Sequence, residues 1–203
     1  MVGSRTTADI LRDAQDTLRT AEQGLSDLVT GPPERRLAGL RNAIVFGRAV
    51  TNVLENLRGV EPAFDAWYGP VSAALADDAL MRFFYKLRSE ILKQGSLPVA
   101  GSVSIHNLNL PQDADRFGPP PPNACGFFAG DATGGLGWEM RLPDGSTEKY
   151  YIDLPADIGR VEALFVDAPE QDGRRSVPDL TTRYLARMRE LLREAKSRFG
   201  SAG

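Results

Sequence analysis

Arg88, Ser89, Glu90 and Lys93 stand close together near the end of one helical pattern and offer a guanidinium, a hydroxyl, a carboxylate and an ammonium. An arginine and a lysine on neighbouring turns can hold a phosphate, the first through its planar fork and the second as a point charge. Five positions apart, they sit about 140° apart around a helix, so only long side chains at a frayed end converge. A second basic group, Arg41-Asn42 with Arg48, lies on an earlier helix. Proton transfer is harder to place. Lysine, with an unperturbed pKa near 10.4, is a poor base unless burial or a neighbouring cation depresses it. His106 is the only histidine. It reads either as a displaced acid–base group or as a surface residue on the polar face of a strand, the second being the commoner case. Cys125 is the only cysteine. No internal disulfide follows, and no metal site can be assembled from one His and one Cys. No cofactor is implied.

The elements that position these residues follow from periodicity. Thr7 reads as an N-cap, and Leu11, Ala14, Leu18, Ala21, Leu25 and Leu28 recur at spacings of three and four, which predicts an amphipathic helix. Gly31-Pro32-Pro33 stops it. A second helix carries Leu37, Leu40, Ile44, Gly47, Val50 or Thr51, Leu54 and Leu57, with Gly47 marking a close helix–helix approach. Glu61-Pro62 opens a short helical corner with Phe64, Trp67 and Tyr68. After Gly69-Pro70 a further helix follows, with Asp77 as N-cap, Leu80, Phe84, Leu87 and Ile91 as its core stripe and Gly95 as its stop. From Leu97 to about Pro169 the pattern turns to strands: Val103 and Ile105 alternate with polar residues, and Trp138–Leu142 with Thr147–Ile152 frame a hairpin. Val161–Val166 adds another strand. The last helix, Pro178 to Phe199, carries Leu180, Tyr184, Met188, Leu191 and Ala195 on one face. The predicted fold class is α+β, a predominantly helical up-down bundle with a small antiparallel β-insert before the last helix. One domain spans 1–203, with the bundle at 7–95, the insert at 97–169 and the closing helix at 178–199.

Three further features have simple readings. Gly130-Asp131-Ala132-Thr133-Gly134-Gly135-Leu136-Gly137 lacks the lysine and hydroxyl that end a P-loop and precedes a strand, so it reads as a turn. Pro119–Pro122 reads as a loop. Arg183, Arg187, Arg189, Arg193, Lys196 and Arg198 on the last helix read as a solvated face in preference to an RNA-binding stripe.

Arg41-Asn42-Ala43-Ile44-Val45-Phe46-Gly47-Arg48 on one helix, followed by Met81 to Gly95 on another, resembles the HEPN superfamily of small helical bundles in toxin–antitoxin and phage-defence systems. Nuclease members carry an Arg, often followed by Asn, then a His four to six residues on, and two copies meet at a cleft to cleave RNA without metal. Arg88 matches that Arg, Ser89 takes the Asn place, and Lys93 stands where the His belongs. The resemblance implies Arg88 and Lys93 as a degenerate catalytic pair. It also implies Arg41, Asn42, Arg48, Ser89 and Glu90 as binding residues, and a homodimer.

The net charge of -3 and 42% hydrophobic content argue for a globular chain and against a dedicated duplex-DNA binder. The first seven residues have no apolar stretch behind them that could serve as a signal peptide, and no run is long enough for a membrane span. The expectation is a cytoplasmic protein with no membrane partner, binding RNA, a nucleotide, or an antitoxin or defence partner. Two alternatives stay open: an endoribonuclease using Arg88 with Lys93 or His106, and a protein-interaction module acting through Trp138 and Tyr151.

Overall fold

In the computed structural model, residues 5–107, 114–169 and 176–200 are described. Residues 1–4, the start of the segment read above for a signal, lie outside them. Among the described residues, five α-helices and five strands follow one another, with two short 3-10 helices, Glu55–Gly59 and Ala114–Phe117, between them. The chain divides into two compact units, one holding the helices and the other, from Pro98 onward, the strands.

The helical unit opens with α1 (Thr7–Thr30), whose N-cap is Thr6 and not Thr7. Thr6 accepts from the Asp9 backbone N–H while Asp9 accepts from that of Thr6, a reciprocal capping box. α2 (Pro33–Leu54) starts on a proline, whose missing N–H costs nothing in a first turn. The two helices bury residues of the expected stripes, Leu18, Ala21, Leu28, Leu40 and Ile44 among them, and Ala43 besides. Their closest crossing is a pair of glycines the stripes did not single out. A Cβ built on Gly24 would lie 2.6 Å from the Gly39 carbonyl oxygen, and one on Gly39 the same distance from that of Gly24.

α3 (Phe64–Asp77) runs straight through Gly69-Pro70, where a break was expected. Proline removes one helical hydrogen bond, and the carbonyl it leaves without a donor belongs to Ala66. Ala66 and Pro70 are both exposed, so water meets that carbonyl. α4 (Ala79–Gln94) is capped by Asp78, one residue after the expected Asp77, which accepts from the N–H groups of Leu80 and Met81. Gly95 ends it at φ 67°, the left-handed conformation glycine adopts freely. α5 (Val177–Phe199) buries Leu180, Tyr184, Leu185, Met188, Leu191, Leu192, Ala195 and Phe199.

The expected fold, a bundle with one small antiparallel insert, is overturned by the β unit. Its strands make two antiparallel sheets. In one, β1 (Val99–Ile105) pairs with β5 (Gly159–Phe165), Val99 opposite Phe165 and Ile105 opposite Gly159. In the other, β2 (Ala124–Ala129), β3 (Leu136–Arg141) and β4 (Thr147–Ile152) form a meander. The β3–β4 hairpin lies where the sequence put it, with Trp138 opposite Tyr150 and Glu139 opposite Lys149. Two features hid the rest. β2 reads Ala-Cys-Gly-Phe-Phe-Ala, with neither clean alternation nor β-branched residues, and β1 finds its partner more than fifty residues away, a pairing periodicity does not register.

The glycine-rich run is the β2–β3 turn, organised by Asp131. Its carboxylate accepts from the Thr133 and Gly135 backbone N–H groups, the Thr133 hydroxyl, the Lys149 ammonium at 2.8 Å and the Tyr151 hydroxyl at 2.7 Å. Burial works to raise the carboxyl pKa, but these hydrogen bonds, that from Lys149 foremost, outweigh it and hold the group well below the carboxylate range.

Candidate functional site

The helical unit contains a cleft of about 470 Å³ whose wall draws on four helices. Gly47 of α2 makes its floor possible. A Cβ there would come within 2.6 Å of the Tyr184 ring, so glycine is what lets α5 lay that tyrosine across α2. The Tyr184 ring stacks face to face on Phe84 of α4, centroids 4.2 Å apart and 2° from parallel, and its hydroxyl donates weakly to the Ile44 carbonyl at 3.4 Å. Burial pushes the Tyr184 phenol far above its ordinary pKa, against the pull of the Arg48 and Arg88 charges. Tyr68 of α3 stacks on Phe64 and donates to Glu55 at 3.4 Å. Its phenol is also raised, first by burial and then by the Glu55 charge. Both tyrosines are therefore neutral hydroxyls across the physiological range.

Two arginines bring positive charge to the wall. Arg48 lies one turn before Thr51, so both face the cleft. Its guanidinium donates to Asn52 at 3.2 Å and sits 5.5 Å from the ring centroid of Tyr85, which is 55% exposed. The two make a cation–π pair at the rim of the cleft. Arg82 donates to the Ala76 and Asp77 carbonyls at 2.9 and 2.7 Å, closing the end of α3 and leaving its charge on the cleft wall. The lining residues are Arg, Thr, Ser, Tyr, Leu, Ala and Met, with no carboxylate, imidazole or thiol.

Of the residues singled out from sequence, Arg48 lines the cleft. Arg88 is half-buried on α4 and its charge reaches Tyr184; among the described residues no hydrogen bond or ion pair engages it. Lys93 is exposed in the last turn of α4, and Arg41 donates to the Gly95 carbonyl at 3.2 Å. Both thus serve a helix C-terminus, where the dipole is negative and cations stabilise. Asn42 is exposed on α2. Ser89 donates to the Tyr85 carbonyl of its own helix, and Glu90 pairs with Lys86 at 3.6 Å. His106 is exposed in the β unit and its backbone N–H donates to the Ile158 carbonyl. On α5, Arg187 and Arg193 pair with Glu190, and Arg189 pairs with Glu22 of α1.

Among the cleft residues, the sequence marks Tyr68, Tyr184 and Thr51 only as packing residues and gives Tyr85 and Arg82 no role. Tyr68 in the predicted corner and Tyr184 in the last helix's apolar stripe carried a faint signal: each is a hydroxyl-tipped aromatic, and such residues bury the ring while the oxygen seeks a partner.

Residues 13–110, just under half of the chain, match the family described as Bacteriophage lambda protein ea47. The matched stretch contains most of α1, all of α2, α3 and α4, and β1, and so every cleft residue except those of α5. No curated protein and no solved structure matches the chain. Among the described residues no helix is long and apolar enough to cross a membrane, and no group of His, Cys, Asp or Glu could hold a metal ion.

Proposed function

We propose that the helical unit binds a nucleotide, free or within a short single-stranded RNA, in the cleft beside Arg48 and Tyr85, and that the chain works by binding and not by catalysis. The observation that carries this reading is the cleft wall: two guanidiniums and three tyrosines with no carboxylate, imidazole or thiol. Guanidiniums attract phosphate, and an open tyrosine face stacks a base for about 1–3 kcal/mol. The buried tyrosines supply neutral hydroxyls for orientation. General acid–base chemistry needs a group poised near neutral pH, and the wall offers none. The volume of about 470 Å³ falls in the range of small-molecule sites.

From the HEPN resemblance this reading keeps the RNA or nucleotide ligand, a homodimer, and a cytoplasmic role in a defence or toxin–antitoxin system. The similarity to a family described from bacteriophage lambda supports a phage-linked setting. The test is fluorescence anisotropy of labelled penta-adenylate with competition by AMP. Arg48→Ala weakens binding about 10- to 100-fold, as expected for losing a hydrogen bond to a charged group, and the RNA is recovered intact. Failure of both penta-adenylate and millimolar AMP to bind sinks the reading. Metal-independent cleavage abolished by Arg88→Ala replaces it with the ribonuclease.

A further inference from the structure

The β unit holds a cleft of its own, about 440 Å³, with chemistry opposite to that of the helical one. One wall is the β2–β3 face, where the cross-strand pairs Phe127–Trp138 and Ala129–Leu136 put four apolar side chains side by side. Val103 and Ile105, two apart on β1, form the facing wall, and the Phe117–Pro120 turn and Leu154 close the remaining sides. No lining residue carries a charge. The side chains are held as they stand: the Phe127 and Trp138 rings meet edge to face at 5.0 Å, and the Asp131 hub fixes the turn joining their strands.

One feature marks the cleft as unfinished. Ile105 is 56% exposed and Phe127 51%, so its apolar walls are open to water.

We propose that this cleft binds a neutral, mainly apolar small molecule. The occupant is neutral because a charged group would lose its hydration against walls with no counter-charge. It is small because the unit's own elements close the cleft around a volume suited to a single small ligand. The proposal is independent of the nucleotide reading, which concerns the other unit.

The test titrates N-phenyl-1-naphthylamine, a neutral fluorescent probe, into the full chain. Emission rises saturably to one equivalent. Ala129→Phe fills the cleft from an exposed strand position and weakens the probe at least about tenfold. Ile105→Glu, at another exposed position, does the same by adding a charge, and Tyr85→Ala leaves probe affinity unchanged. Unsaturable binding overturns the proposal, and so does affinity indifferent to both β-unit substitutions or lost in Tyr85→Ala.

Discussion

The α1–α2 crossing makes a quantitative demand. Replacing Gly24 by alanine would put a Cβ 2.6 Å from the Gly39 oxygen, 2.7 Å from the Ala43 nitrogen and 2.9 Å from Asn42 Cβ, where ordinary contact begins at 3.4 Å. The nearest two obstacles are backbone atoms of α2, so no rotamer change relieves the clash; the helices must part by several tenths of an ångström. Overpacking of this kind costs about 1–3 kcal/mol. A mid-helix Gly→Ala exchange gives back about 1 kcal/mol of helix propensity. With backbone as the obstacle the upper half of the cost applies, leaving Gly24→Ala about 1–2 kcal/mol less stable. Helical ellipticity followed on heating should show the melting temperature fall by about 2–8 °C. Gly39→Ala meets the Gly24 oxygen in return and should behave alike. The double variant should lose less than the sum, because helices already parted admit the second methyl. A melting temperature unchanged or raised in Gly24→Ala would refute the close approach, since propensity alone would then be acting.

Other expectations follow from single contacts. Thr6→Ala removes the capping box of α1 and should cost about 1 kcal/mol in a denaturant melt. It should also release Asp9, held near a pKa of about 2 by the Thr6 hydrogen bonds and then Arg12, towards its ordinary value in an NMR titration. Asp131→Asn should flatten the acid limb of stability. Its folded pKa lies below the ordinary 3.8, so its contribution is whole above that value and fades as pH falls through and below it. The β unit of the wild type should therefore weaken more steeply on acidification than that of the variant, read by near-UV dichroism. Tyr184→Phe removes only a 3.4 Å hydrogen bond and should change stability by less than about 1 kcal/mol, yet weaken nucleotide binding severalfold.

Much of the helical unit was legible because burial there follows a local period. Leu11, Ala14, Leu18, Ala21 and Leu28 of α1, and Leu180, Tyr184, Met188, Leu191 and Ala195 of α5, are all buried. Pro70 misled, because a helix tolerates a proline more readily where the carbonyl it orphans lies on an exposed face, and exposure of Ala66 is settled in three dimensions. The β1–β5 pairing and β2 were illegible for a related reason: strand partners are chosen across the chain, and a strand of alanine, glycine and phenylalanine announces no face. The site divides in the same way. Arg48 declared itself as one of several arginines, but its place above Tyr85 depends on α2 packing against α4, and Tyr184 arrives from α5, more than a hundred residues away. Arg41 reaches the Gly95 carbonyl and Lys93 stands in the last turn of α4, a placement that follows from where the helix ends in space.

The four methionines offer the most direct test of a binding cleft in the helical unit. Met81 and Met188 line it, and Met140 belongs to β3 in the other unit. With methyl-labelled methionine, a titration with AMP should shift the Met81 and Met188 signals together, saturably, and leave Met140 in place. The same titration of Arg48→Ala should need about tenfold more nucleotide or more. Still signals at Met81 and Met188, or a response confined to Met140, would contradict the account.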